Sequence, residues 1–97
     1  MTASPLLLPF EGHTPAAHPT AFVAPGVTLI GNVTLAENSS VFYNSVIRAD
    51  QALISIGAGS NVQDNVSMHT DEGLQLGPFE FAHLSFARVA LMLKSYP

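Results

Sequence analysis

The chain has no cysteine. That excludes a disulfide framework and a thiolate metal site, so any metal would need histidine and carboxylate ligands. Positive charge is scarce: three Lys or Arg stand against seven Asp or Glu, giving a formal net charge of −4. With no basic stripe to neutralise phosphates, nucleic acid is not an expected partner. No apolar run approaches the roughly 18–20 residues that a membrane helix needs. The opening MTASPLLLPF carries an apolar patch at Leu6–Leu8, but it has no basic n-region and Pro5 and Pro9 interrupt it. It is not read as a signal peptide, and the expected setting is cytoplasmic, away from membranes. Charged residues make up only 10% of the chain and hydrophobic ones 47%, which argues against disorder over most of its length. At 97 residues the chain is one domain at most, near the low end for a self-sufficient core.

What is present is a period of six. Aliphatic residues recur at Val23, Leu29, Leu35, Val41 and Ile47, and four residues after each of the first four stands a small or β-branched one: Val27, Val33, Ser39 and Ser45. The register resumes at Ile56, Val62 and Met68, with Ser60 and Val66 four residues on. The gap from Ile47 to Ile56 is nine residues, six plus an insertion of three around Asp50–Leu53. A period of six fits neither a helix nor a simple alternating strand. Turn chemistry falls at Pro25-Gly26, Glu37-Asn38, Gly57 and Gly59. Each hexad reads as a short strand plus a bend that cannot bury its aliphatic residue alone, so successive coils must stack. A β-sandwich, with turn signals every 8–12 residues, fits worse. The expected fold is all-β: a left-handed parallel β-helix of hexapeptide repeats.

The period places a lead-in segment at 1–20, coils at 21–77 and a tail without the repeat at 78–97. In the tail, Leu84, Ala87 and Leu91 fit one helical face with Lys94 near its end, so a short C-terminal helix is expected there.

The residue after each core aliphatic is normally small in such a repeat, yet three of these positions hold Arg48, Gln63 and His69. Departures from a local rule tend to mark function. Arg48 and His69 are 21 residues apart, three hexads plus the insertion. If three hexads close a coil, both occupy one corner of adjacent coils, about 4.8 Å apart in the backbone. His13 and His18 lie in the Pro-rich lead-in and read as structural or solvated.

The run IRAD (Ile47–Asp50), then ISIGAGSNVQDNVSMHT (Ile54–Thr70), together with the earlier AFVAPGVTLIGNVTLAENSSVFYNSV, resembles the γ-class carbonic anhydrase-like family. The likeness covers roughly Leu7 to Gly77, and the combination of R-x-D, S-N-V-Q-D-N and M-H-T is far more specific than the bare hexad. It implies a trimer with zinc, or an iron- or cobalt-type divalent metal, held by histidines at subunit interfaces. It implies that His69 corresponds to the first metal ligand, Arg48 and Asp50 to a salt-bridged pair beside the interface, and Gln63 to the amide that hydrogen-bonds metal-bound water or substrate. Asn61 and Asp64 belong to the same motif as supporting residues. The implied reaction is reversible hydration of carbon dioxide to bicarbonate, since a zinc with three imidazoles and an open position brings the pKa of its water to about 7.

The chain departs from the family pattern after Pro78. The two further ligands of a G-H-x-x-x-x-H-G arrangement have as their nearest match the run Ala82–Val89, where His83 falls one residue out of register and Arg88 replaces the second histidine. A guanidinium does not ligate a metal. Position 51 is Gln where some members carry an acidic proton-transfer residue. The expectation is therefore a shortened or frame-altered member with impaired activity, working as a homotrimer or as a mixed oligomer with a full-length relative. Two readings stand beside it: a non-catalytic assembly or scaffold subunit, and a hexapeptide-repeat acyltransferase, which would need a coenzyme A groove from later coils.

Overall fold

The computed structural model describes residues 4–69, 74–77 and 81–82. Among them every extended segment runs parallel to its sheet neighbours, and none is helical. The strands are β1 (Leu6–Leu8), β2 (Ala16–Ala17), β3 (Phe22–Val23), β4 (Thr28–Leu35), β5 (Ser40–Val41), β6 (Val46–Ile56), β7 (Asn61–Val62), β8 (Ser67–His69), β9 (Leu74–Leu76) and β10 (Phe81–Ala82). They form three ladders, each four strands tall: β1-β4-β6-β8, β2-β4-β6-β9 and β3-β5-β7-β10. The long strands β4 and β6 bend round one corner and so belong to two ladders. This is the parallel β-helix of hexapeptide-repeat proteins, wound on a single column of core.

The six-residue period is the reason the core forms. Leu29, Leu35, Val41, Ile47, Ile56, Val62 and Met68 are all buried, and Val23 is partly buried against them. In a parallel stack like residues meet like positions: Leu29 pairs with Ile47 and Ile47 with Met68, so each coil covers the aliphatic residue of the one before it. The positions four residues on are buried as well, three of them serines. Their hydroxyls satisfy backbone groups at the corners. Ser39 Oγ donates to the Ala36 carbonyl at 2.7 Å, Ser45 Oγ donates to the Gln63 carbonyl at 2.6 Å and accepts from Val66 N–H at 3.1 Å, and Ser60 Oγ donates to the Gly77 carbonyl. Small side chains fit the corner, and the hydroxyl removes the cost of a buried carbonyl.

The three-residue insertion lies where the spacing put it. Gly31 pairs with Ala49 and Val33 with Ile54, so one residue of β4 faces four of β6. Residues 50–53 bulge outward, and Ile54, not the residue four after Ile47, enters the core. Gly31 (φ 79°) is required at the corresponding tight corner, because a Cβ there would meet the Ala49 carbonyl oxygen at 2.5 Å.

The stack takes in residues that do not carry the period. In the lead-in, β1 and β2 join it: Leu7 pairs with Leu29 and Ala17 with Leu35. The ladder is made by backbone groups, so Leu6–Leu8 and Ala16–Ala17 join it without the hexad pattern. The ladder also runs past Pro78, where Phe81 pairs with Asn61 and Ala82 with Val62. At the corners, left-handed backbone falls at Asn44 and Asn65 as well as at the anticipated Gly26, Asn38 and Gly59; Asn tolerates that region. The expected helix in the tail, His83 and Arg88 lie outside the described residues.

Candidate functional site

Arg48 follows Ile47 in β6, and His69 follows Met68 in β8. Because side chains alternate along a strand, burying Ile47 and Met68 turns Arg48 and His69 outward, and both are exposed. The two are directly paired Cα partners, with Ile30 on the other side of Arg48. Neighbouring strands sit about 4.7–4.9 Å apart. The pair stands on the strand ahead of the bulge and not in the corner itself. Asp50, the first residue of the bulge, folds back so that its Oδ2 lies 3.2 Å from Arg48 Nε, the two side chains being 48% and 23% exposed. Three of the anticipated residues are thus brought together on one outward face.

The others are placed elsewhere on the coil. Asn61 lies in β7, and Gln63 and Asp64 follow it in the turn that leads to β8, so they occupy a different corner from the end of β8 where His69 stands. Gln63 is half-buried and Asp64 exposed, and the Gln63 carbonyl is held by Ser45. Within one chain, then, the motif residues form two groups, one on the strand ahead of the bulge and one at the turn between β7 and β8. His18 is structural: its Nδ1 accepts from Thr20 N–H at 3.1 Å and pairs with Thr20 Oγ1 at 2.9 Å, and that oxygen accepts from Asn38 N–H at 2.9 Å, tying the first coil to the second. His13 instead lines a notch at the corner that carries the bulge. The period gave no sign of this notch, because the loop that forms its upper wall precedes the repeat.

A catalytic zinc takes three protein ligands. Among the described residues no three His, Asp or Glu side chains are grouped closely enough to hold a metal ion. His69 alone does not make up such a site. No helix among the described residues is long and apolar enough to cross a membrane.

A stacked parallel coil on a six-residue period defines a hexapeptide-repeat protein, here with an outward Arg-x-Asp pair beside a histidine one coil on. Comparison with known proteins agrees. No family model matches the chain. A carbonic anhydrase of Geobacillus kaustophilus is 33% identical over 91 residues, covering 86% of this chain and 50% of that protein. The mitochondrial gamma carbonic anhydrase 3 of Arabidopsis thaliana is 46% identical over 56 residues, covering 58% of this chain and 22% of that one. Among solved structures, a hexapeptide transferase family protein from Anaplasma phagocytophilum superposes with a TM-score of 0.78 at 36% identity, over 82% of this chain and 48% of that one. The chain belongs to the γ-carbonic anhydrase/hexapeptide-repeat family, and it spans half or less of the length of these relatives.

Proposed function

We propose that this chain contributes the Arg48, Asp50 and His69 face to a γ-carbonic anhydrase-like site shared between subunits, whose reaction is the reversible hydration of carbon dioxide. The observation that supports this is the direct pairing of Arg48 with His69, with Asp50 closing on the guanidinium. In this reading His69 offers one imidazole to a divalent metal, zinc or an iron- or cobalt-type ion. The Arg48–Asp50 pair holds the neighbouring edge, and Gln63, with Asn61 and Asp64, serves a site on an adjoining copy. The separation of the two groups of motif residues on one chain suits such sharing. The working form is a homotrimer or a mixed oligomer with a longer relative.

A single imidazole is one of the three ligands that catalytic zinc requires. The chain alone is therefore expected to bind zinc weakly and to hydrate carbon dioxide poorly. Metal content and hydration rate of the purified chain, with His69→Ala as control, test this. Near-stoichiometric zinc with activity abolished by His69→Ala would show that the chain completes the site unaided. The likeness to a hexapeptide transferase family protein supports a second reading, acyl transfer from a thioester. A titration with acetyl coenzyme A separates the two, since saturable binding would favour the transferase.

A further inference from the structure

Three successive coils turn one corner with different lengths of chain. The first crosses it with residues 9–15, the second with Gly31 and Asn32, and the third with the bulge at 50–53. A short corner between two long ones leaves a notch of about 210 Å³, lined by Phe10, Glu11, His13, Asn32, Asp50 and Gln51 among others. At roughly 30 Å³ for each water-sized group, it has room for a ligand of on the order of seven heavy atoms.

The upper wall is a fixed structure. Phe10 and His13 exchange backbone hydrogen bonds of 2.8 and 3.0 Å across a two-residue turn. Glu11 and Gly12 at its centre have φ of 49° and 81°, the type I′ geometry, whose first central position favours Asn, Asp or Gly. A glutamate there holds an uncommon backbone conformation for its type. The conformation costs stability, and local strain of this kind tends to gather at functional sites. What glutamate adds over asparagine is a charged carboxylate on a longer arm, and that residue lines the notch.

The charges set the class of ligand. Glu11 and Asp50 contribute two carboxylates and Arg48 engages Asp50, which leaves the Glu11 carboxylate to meet a ligand's charge. The Phe10 ring, 41% exposed, supplies an aromatic wall, and Asn32 and Gln51 supply amides. One carboxylate balances a monovalent cation, and an aromatic wall favours one with a weakly hydrated organic surface over a small, strongly hydrated ion. The geometry points to a binding site for a small organic ammonium ion, held by the Glu11 carboxylate and the face of Phe10. The site shares Asp50 with the face described above but involves no metal, and it stands whether or not the chain takes part in carbon dioxide hydration.

The test is a nuclear magnetic resonance titration of the full chain with choline and, separately, with its neutral carbon isostere 3,3-dimethylbutan-1-ol. Choline is expected to shift the resonances of Phe10, His13 and Gln51 saturably and to bind about fivefold more tightly than the isostere, the value of one nearby charge in water. Glu11→Gln should lower choline affinity by a similar factor. Glu11→Asn should lower it too while raising the unfolding midpoint, because Asn suits the turn; this variant separates lost binding from lost folding. Equal affinity for the two probes, shifts that do not saturate, or unchanged choline affinity in Glu11→Gln overturns the proposal.

Discussion

Asn44 Oδ1 occupies the space that a Cβ on Gly26 would take. The two residues stand at the same corner one coil apart, with φ of 63° and 82°. The corner is therefore closed by a side chain laid against a backbone that has none. Gly26→Ala should destabilise by about 2–3 kcal/mol, part from left-handed backbone and part from displacing Asn44. Denaturant unfolding measures the loss. Adding Asn44→Gly should recover the steric share only, and full recovery would mean that the backbone conformation costs nothing there.

The insertion makes a sharp contrast between two neighbouring apolar stretches. Ile47 is fully buried, whereas Leu53 in the bulge is 42% exposed. Ile47→Ala should cost about 2–5 kcal/mol. Leu53→Ala should stay within about 0.5 kcal/mol, as surface changes do. Comparable losses at both sites in thermal or urea unfolding would contradict the register through residues 50–53.

Much of this was legible in the sequence, because a period of six ties each aliphatic residue to one face and each small residue to a corner. The pairing of Arg48 with His69 followed from the same arithmetic, since 21 residues is one coil plus the insertion. Less was legible where geometry rests on backbone or on unequal lengths of chain. Ile54 was not assigned to the core, because the gap from Ile47 to Ile56 fixes the size of the insertion but not which apolar residue after it turns inward. Leu6–Leu8 carries no hexad and pairs with β4 through its peptide groups. The separation of Gln63 from His69 was hidden because motif residues close in sequence lie on opposite sides of a bend.

Ser45 links three segments of chain, donating to the Gln63 carbonyl and accepting from Val66 N–H while fully buried. Ser45→Ala removes little volume but strands two backbone groups. Leaving one such group unsatisfied costs about 1–3 kcal/mol, so the variant should lose at least that much. Hydrogen exchange at Val66 gives a local reading: its amide should lose protection more than that of Val62. Equal changes at the two amides would point to general loosening instead.

The Arg48–Asp50 pair separates a solvated surface from an assembly face. At 3.2 Å, with side chains 48% and 23% exposed, it lies in the range where ion pairs contribute about 0.2–1 kcal/mol, because solvent screens the attraction and two long side chains lose freedom. Added salt shortens the Debye length to about 3 Å at 1 M and weakens such a pair further. In the dilute, unassociated chain Asp50→Asn should thus lower unfolding free energy by less than about 1 kcal/mol, and the difference should shrink in high salt. If this face packs against another subunit, water is excluded and Asp50→Asn leaves the Arg48 charge buried without its partner, a loss of about 3–5 kcal/mol. That loss appears in association, not in folding of the single chain. Sedimentation over a concentration series should then show weakened assembly by Asp50→Asn, while the double change Arg48→Met with Asp50→Leu restores part of it. Unchanged assembly in Asp50→Asn would leave the pair an ordinary surface contact, and a large stability loss in the dilute chain would contradict the exposure of the two side chains.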